Sequence, residues 1–565
     1  MRWIPPMNAD RIASRARVVA SLLGLLAITI LVACRGGGRG PIRDAHGHDQ
    51  PRRGGVLRTT LPAAISTLDP SVAYEEMAGY VVHHLYATLL TPRAAPSGSD
   101  TPIVPDLAES WSISPDGLVY AFTLRDGLRY SDGRAVVAGD FKYSLERVLT
   151  MPRSPFGSFL ANIAGAGDLA EGKASSLAGV QVLDDRHLEI HLVEPDASFA
   201  MILTMSFTTP LARDHVAAMK NDLRTTPLGT GPFVLESWDE STALTLARNP
   251  HYWDPRLPYL DGIVFQTAVS REASFLLFEA GELDLVTRLS SADYLWLAER
   301  DDWRPYIDRV LLMNPIGARM NCQRPPFNDV RVRQALNYAV DKQHISRLWN
   351  GQVEISTGIL PPSMFGHSPR LAPYPHDPAR ARQLLAEAGH PDGFSIEYLT
   401  FQEGPNEAVA QSLQADLAAV GVDMTIRLVS WTTLVPTFRR IDGAPFSFMG
   451  WQIDYADPSN LMDTLFHSRN IAEADSNNNS FYASPRLDAL IDAARREPDV
   501  ARRRHMYEEM DEFVHDEAPW IWLYNYGYTQ VRQPYVMNNR PHPVWILDFR
   551  EVWLDVAGDP SRSVR

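Results

Sequence analysis

The sequence predicts an α/β protein of more than one domain, on three observations. Short stretches alternate apolar and polar residues at period two, as half-buried strands do. Other stretches repeat apolar residues at three- and four-residue spacing behind residues that cap helices. The chain is also 565 residues long, against roughly 100–200 per domain.

The elements follow in chain order. Leu118, Tyr120, Phe122 and Leu124 alternate with Val119, Ala121 and Thr123, which predicts a strand. Residues 134–149 read as a helix with Phe141, Leu145 and Val148 on one side. Leu188, Ile190 and Leu192 alternate with Glu189 and His191, a second strand. Asn328 or Asp329 can cap a helix whose Val332, Ala335, Leu336, Ala339 and Val340 share a face. Asp377 caps another, with Pro378 in its first turn, Ala381, Leu384, Leu385 and Ala388 inward, and Gly389 and Pro391 as stop signals. A third runs from about Asn406 to Val420 and closes at Gly421. Val422, Met424, Ile426 and Leu428 then alternate as a strand. Helix followed by strand, repeated, is the pattern of α/β lobes. No repeat of fixed period is visible.

The N-terminus has its own logic. Arg2, Arg11, Arg15 and Arg17 make a positive leader with one acid, Asp10. An uncharged, mostly apolar run of 16 residues follows, Val18 to Ala33, short of the about 20 a membrane span needs. A charged leader and a short apolar run read as a secretory signal, residues 1–33. The run ends Leu31-Val32-Ala33-Cys34, which resembles the bacterial lipobox, so Cys34 is expected to carry a lipid anchor. Several acyl chains would hold the protein where a single chain holds only marginally. The alternative is an uncleaved anchor with a coincidental cysteine. Residues 34–54, rich in Gly and Pro, read as a flexible linker. His46 and His48 within it are expected to be solvated, not metal ligands.

Composition excludes several functions. Hydrophobic residues are 45% and charged residues 21%, ordinary for a globular protein that can build its core without disulfides. A net charge of −15 argues against nucleic-acid binding, which needs clustered Lys and Arg. The two cysteines, Cys34 and Cys322, form no Cys-x-x-Cys pair, so no thiolate zinc site is expected. No His-Glu-x-x-His and no Gly-x-Ser-x-Gly is present, and a lone Cys322 reads as a small buried hydrophobe, so no enzyme is expected. No metal and no cofactor is expected either.

Several blocks, in order, resemble one family. Leu68-Asp69-Pro70 is the first. Pro105-Asp106-Leu107-Ala108-Glu109-Ser110-Trp111 follows, continuing through Asp116-Gly117, Phe122-Thr123-Leu124-Arg125, Ser131-Asp132-Gly133 and Ala138-Gly139-Asp140. Gly229-Thr230-Gly231-Pro232-Phe233 and Arg248-Asn249-Pro250-His251-Tyr252-Trp253 come next, then Gly281-Glu282-Leu283-Asp284. Pro326-Phe327-Asn328-Asp329 through Leu336 and Gly450-Trp451-Gln452-Ile453-Asp454-Tyr455 complete the set. Together they resemble the family 5 extracellular solute-binding proteins.

The resemblance implies an α/β, two-lobed fold of the type II periplasmic-binding-protein kind, with an extra subdomain in the first lobe. Lobe I would be residues 55–305, with 100–205 inserted, and residues 513–565 would return to it. Lobe II would be 306–512. The implied function is capture of an oligopeptide in the cleft by hinge closure and delivery to ABC transporter permease subunits. The protein would be a monomer, lipid-anchored in the periplasm or on the outer face of the cell membrane. The alternative is the same scaffold with a non-peptide solute: a nickel chelate, an opine or an oligosaccharide.

For the site, the resemblance puts the acid of the Trp-x-x-Asp motif, here Asp454, against the ligand's ammonium, where a carboxylate gives charge-assisted hydrogen bonds. Read from its own stretch alone, Asp454 could equally cap a loop. Trp451 and Tyr455 could wall the pocket, although Trp451 could as well be core. Backbone around Phe448 to Gln452, through Gly450, could pair with an extended peptide like an added strand. Asp457 before Pro458 reads as a turn former. Dipeptide-binding relatives place an Arg before the third helix; Leu399 to Asn406 has none here. Arg439 or Arg440 could substitute as the carboxylate partner, or lie solvated on a helix surface.

Overall fold

The computed structural model describes residues 51–93, 102–402, 404–544 and 547–555. Met1–Pro51 and Arg52–Arg565 are separate units, and all that follows concerns the second. The leader, Cys34, His46 and His48 lie outside the described residues. The far end of the expected linker is not loose. Arg52 pairs with Asp555, the Gly54 amide donates to Tyr259 O, and the Gly55 amide donates to the Asp261 carboxylate. The folded body therefore begins at about residue 52, inside the stretch that Gly and Pro content marks as linker.

Three sheets and their cores organise the body. Val56–Leu61, Gly262–Thr267, Ala243–Arg248 and Phe233–Asp239 form a four-stranded sheet, the first pair parallel and the rest antiparallel. The helix Glu76–Leu85 packs into the core of this sheet through Met77, Val81 and Leu85. A second four-stranded sheet, all antiparallel, is built from Ala108–Ile113, Val119–Leu124, His187–His191 and Val180–Val182. Tyr120, Phe122, Leu188 and Ile190 point from it into a core of their own, as period two requires. The predicted helix over 134–149 starts late, at Ala138, because Ala135 is held in a bridge to Arg129 and the Asp140 carboxylate accepts the Val137 amide at the entry.

The third sheet has seven strands and the largest core. Around it lie the three expected helices of the second half, two of them capped; the third, Asn406–Ala418, follows Pro405 and has no side-chain cap. Asp329, not Asn328, caps Val330–Ala339 by accepting the Arg331 amide; Asp377 caps Pro378–Glu387 through the Arg380 amide. Val332, Ala335 and Leu336, then Ala381, Leu384 and Leu385, are buried in the core. Val422–Val429 pairs in parallel with Phe394–Phe401, but its alternation fades. Val422 and Met424 are buried, while Leu428 is 40% exposed, because this strand ends the sheet and its far half runs past the core.

Two long antiparallel strands, Ile307–Met320 and Trp520–Arg532, pass from one core to another. Leu312 and Tyr528 pack with the Val56–Leu61 sheet; Met313 and Tyr524 pack with the seven-stranded sheet's core. Their pairing shifts register between Leu311 and Pro315 and again between Ile316 and Gly317. Pro315 has no amide to give the ladder. The crossing is thus weakest where the chain changes core.

Candidate functional site

The strand Phe446–Gly450 runs beside Ile307–Met320 and stops at Gly450, whose missing Cβ leaves room for Ile316 Cδ1, 2.5 Å from where a Cβ would sit. The chain then loops through Trp451–Pro458 into the helix Ser459–Phe466. Asn460, 1% exposed, staples that loop. Its Oδ1 accepts from Trp451 Nε1 (3.0 Å) and from the Asp454 amide (3.1 Å); its Nδ2 donates to Asp454 Oδ2 (2.9 Å). Asp457 forms the expected turn by accepting the Ser459 amide. It is also half of a buried ion pair with the Arg503 guanidinium, at 2.7 and 2.8 Å, which the Asp-Pro step conceals. Burial pushes the Asp457 carboxyl up, Arg503 more than cancels this, and it lies below the ordinary range.

Asp454 faces a cavity of about 220 Å³ between this loop and the first part of the chain. Gln452 and Ile453 line it from the same side; Tyr74, Glu76, Tyr80, Phe156 and Phe207 line it from the other. Tyr74, 52% exposed, donates its hydroxyl to Asp454 Oδ1 at 2.7 Å and sets its ring edge-on to Phe156 at 5.4 Å. Each oxygen of Asp454 therefore accepts one neutral donor. No ion pair reaches this carboxylate among the described residues, unlike Asp69 with Arg147 or Asp457 with Arg503. Burial pushes its pKa up, and the hydrogen bonds from Asn460 and Tyr74 restrain the rise. Burial and the neighbouring Asp454 raise the Tyr74 phenol, so it stays a donor.

The other residues singled out from the sequence are placed differently. Trp451 lies against the core of the seven-stranded sheet. Tyr455 is buried, bonds Ser459 Oγ at 3.2 Å, and packs edge-on to Phe159 in the core of the second sheet, so it joins the two halves behind the cavity. Arg439 donates to the carbonyls of Asp475 and Ser476 and to Asn477. Arg440 is exposed and pairs with Asp442. Neither arginine lines the cavity. Tyr74 and Asn460, which complete the carboxylate's environment, were not singled out. Tyr74 is 380 residues from its partner in sequence, beyond the reach of any spacing argument. A larger cavity, about 590 Å³, near Asp106, Asp548 and Arg550 holds none of these residues, and its acids are already paired, Asp106 and Asp548 with Arg550 and Asp254 with Arg256.

Most of the sequence blocks brace the scaffold. The Asp106 carboxylate accepts Trp253 Nε1 at 2.8 Å, its carbonyl accepts Arg125 Nε, and the Arg125 guanidinium stacks 3.9 Å over the Trp253 ring. Gly229 and Gly231 let their loop lie against the end of the helix Glu76–Leu85: a Cβ on Gly229 would sit 2.0 Å from Leu85 O. Arg333 is buried and donates to Phe327 O and Glu517 O.

Cys322 is half-buried, donates to Met320 O at 3.6 Å, and is pushed up to about 11 by burial, so it is a thiol at neutral pH and a poor nucleophile. Among the described residues no group of three or more His, Cys, Asp or Glu is placed to hold a metal ion, and no helix is long and apolar enough to cross a membrane.

An α/β body whose cores are joined by two crossing strands, with a carboxylate facing a crevice between its halves, has the form of a solute-binding protein. Comparison gives the family: residues 102–473 match the bacterial extracellular solute-binding proteins, family 5 (middle region), and the chain belongs to that family. It is 30% identical to the heme-binding protein A of Haemophilus influenzae over 74% of this chain and 78% of that protein. It is likewise 30% identical to the dipeptide-binding protein of Escherichia coli, over 74% of this chain and 80% of that one. Among solved structures, the periplasmic binding protein DppA of Helicobacter pylori, in complex with the peptide STSA, superposes with a TM-score of 0.74. It is 28% identical and covers 89% of this chain and 98% of its own. The protein is thus a solute-binding component of transport, acting outside the cytoplasm.

Proposed function

We propose that this protein captures an oligopeptide with a free amino terminus and presents it to the permease subunits of an ABC importer. The observation that carries the reading is Asp454: a partly buried carboxylate at the cavity, with neutral donors on both oxygens and no ion-pair partner among the described residues. A peptide ammonium supplies a cation there, held by charge-assisted hydrogen bonds. The peptides bound or named for the Helicobacter and Escherichia relatives support the same class. Gln452 lines the cavity, and it and the backbone beside Gly450 would pair with an extended guest. Trp451 and Tyr455 support the loop from behind. Closure would take residues 306–512 toward 55–305, with its 100–205 insert and the returning 513–565, about the crossing strands. The protein would work as a monomer, without catalysis, tethered by a lipid on Cys34.

The test is mass spectrometry of what the purified protein releases on denaturation, followed by calorimetry with the peptides found. Asp454→Ala should weaken binding at least tenfold, about 1.4 kcal/mol, with an unchanged far-ultraviolet spectrum. A released nickel chelate, opine or sugar in place of peptide, or an unchanged affinity in the variant, would overturn the reading.

A further inference from the structure

A second cavity, of about 200 Å³, is linked to the first by one ion pair between their walls. Glu76 lines the first cavity, Arg288 lines the second, and the two side chains form an ion pair across the division. Tyr80 donates its hydroxyl to Glu76 on one side; on the other, Arg288 Nε donates to the Tyr528 hydroxyl at 3.4 Å. Trp349 and Tyr526 give the second cavity an aromatic wall, their rings edge-to-face at 5.4 Å. The other charges lining it are Arg271 and Glu272, and Arg271 has no ion pair among the described residues. Each cavity alone falls short of the roughly 300–1,000 Å³ of ordinary ligand sites, while the two together reach it.

Resting on the peptide reading above, we infer that Arg288 anchors the carboxylate of the ligand whose amine meets Asp454, and that Glu76 holds this place until the ligand carboxylate displaces it. The exchange replaces one carboxylate with another, so the guanidinium never loses its partner and its planar fork suits the incoming group. Glu76 can give way because it opens the helix Glu76–Leu85, where backbone N–H groups favour negative charge, and because Tyr80 continues to donate to it. Gly404 and Pro405 also line the second cavity. They belong to the stretch Leu399–Asn406 that contains no Arg, so the cation at this end comes from the opposite wall. One short segment thus covers both anchors: Tyr74 on Asp454, Glu76 on Arg288.

Calorimetry on the full protein with alanine peptides of two to five residues, each as free acid and as C-terminal amide, tests this. At the best-fitting length the acid should bind at least tenfold tighter than the amide. Arg288→Gln should abolish that difference by weakening the acid far more than the amide, and Glu76→Gln should widen it several-fold in favour of the acid. Amide binding to Arg288→Gln reports that the variant is folded; should it not fold, the wild-type contrast and Glu76→Gln still decide. Acid and amide binding equally to wild type, or losing equally in Arg288→Gln, overturns the anchor while the amine site stands. Failure of wild type to bind either form overturns the peptide reading itself, and the anchor with it.

Discussion

Replacing Tyr74 by Phe separates competition from support at the site. The substitution removes one atom, the hydroxyl that donates to Asp454 Oδ1 at 2.7 Å, and keeps the ring on Phe156. A hydrogen bond to a charged group is worth roughly 1.5–3 kcal/mol net. Tyr74 is half exposed, and water can take over part of that bond, so the lower end applies. A ligand ammonium must displace this hydroxyl from the carboxylate. Tyr74→Phe should therefore tighten peptide binding by up to about tenfold, since 1.4 kcal/mol is one decade. The bond also ties the loop 451–458 to the segment around residue 74, so the ligand-free variant should shift toward a more open form.

Titration calorimetry against the peptides released from the wild type reads the first effect, and small-angle scattering of the stripped protein reads the second. The pH profile adds a third. The Tyr74 bond favours the charged form of Asp454, whose pKa burial already raises, so removing it lifts that pKa further. Binding of the ammonium needs the carboxylate, so affinity in Tyr74→Phe should begin to fall at a higher pH, on acidification, than in the wild type. Weaker binding in the variant, with unchanged scattering, would show that the hydroxyl supports the ligand instead of competing with it, and would refute the reasoning.

Three further outcomes follow from the same geometry. Arg503→Ala leaves the Asp457 carboxylate buried and unpaired, and thermal or denaturant unfolding should show a loss of about 3–5 kcal/mol. The depressed pKa of Asp457 means this stabilisation is present above the unfolded-chain value near 3.9 and is lost as pH falls through the folded one, so wild type and variant should converge in acid. Gly229→Ala forces a Cβ to within 2.0 Å of Leu85 O, and the yield of soluble protein or its melting temperature should drop sharply. Labelled palmitate should be incorporated in cells expressing the wild type and not in those expressing Cys34→Ala; label persisting in the variant would reject the anchor.

The local chemistry of this chain is readable from its sequence; the pairings are not. Asp329 and Asp377 cap the helices their positions announce, because a cap is a contact over two or three residues. The helix expected over 134–149 begins four residues late because of the contact between Ala135 and Arg129, which a helical period does not register. The Asp-Pro step at 457 reads as a turn and is one, yet its larger role, pairing with Arg503, spans 46 residues and leaves no local trace. Arg439 and Arg440 show the opposite limit, that of reading by residue type. Both are cations near the motif, but each is already engaged, Arg440 by an acid two residues on.

That contrast suggests why the site itself is only half visible in the sequence. Every protein of this size carries many acids and cations, and most neutralise one another, as Asp69 and Arg147 or Asp284 and Arg58 do here. A binding carboxylate differs from these by what it does not contact, and that is a property of the fold, not of the residue. Asp454 is identified as an acid by its motif. In the proposed reading it becomes a site because the topology brings Tyr74 and Asn460 to its oxygens, where an arginine would have quenched it. Glu76 and Arg288 follow the same logic in reverse: neither stands in a motif that points to a ligand, and their pairing at the boundary of two cavities is what gives them a role.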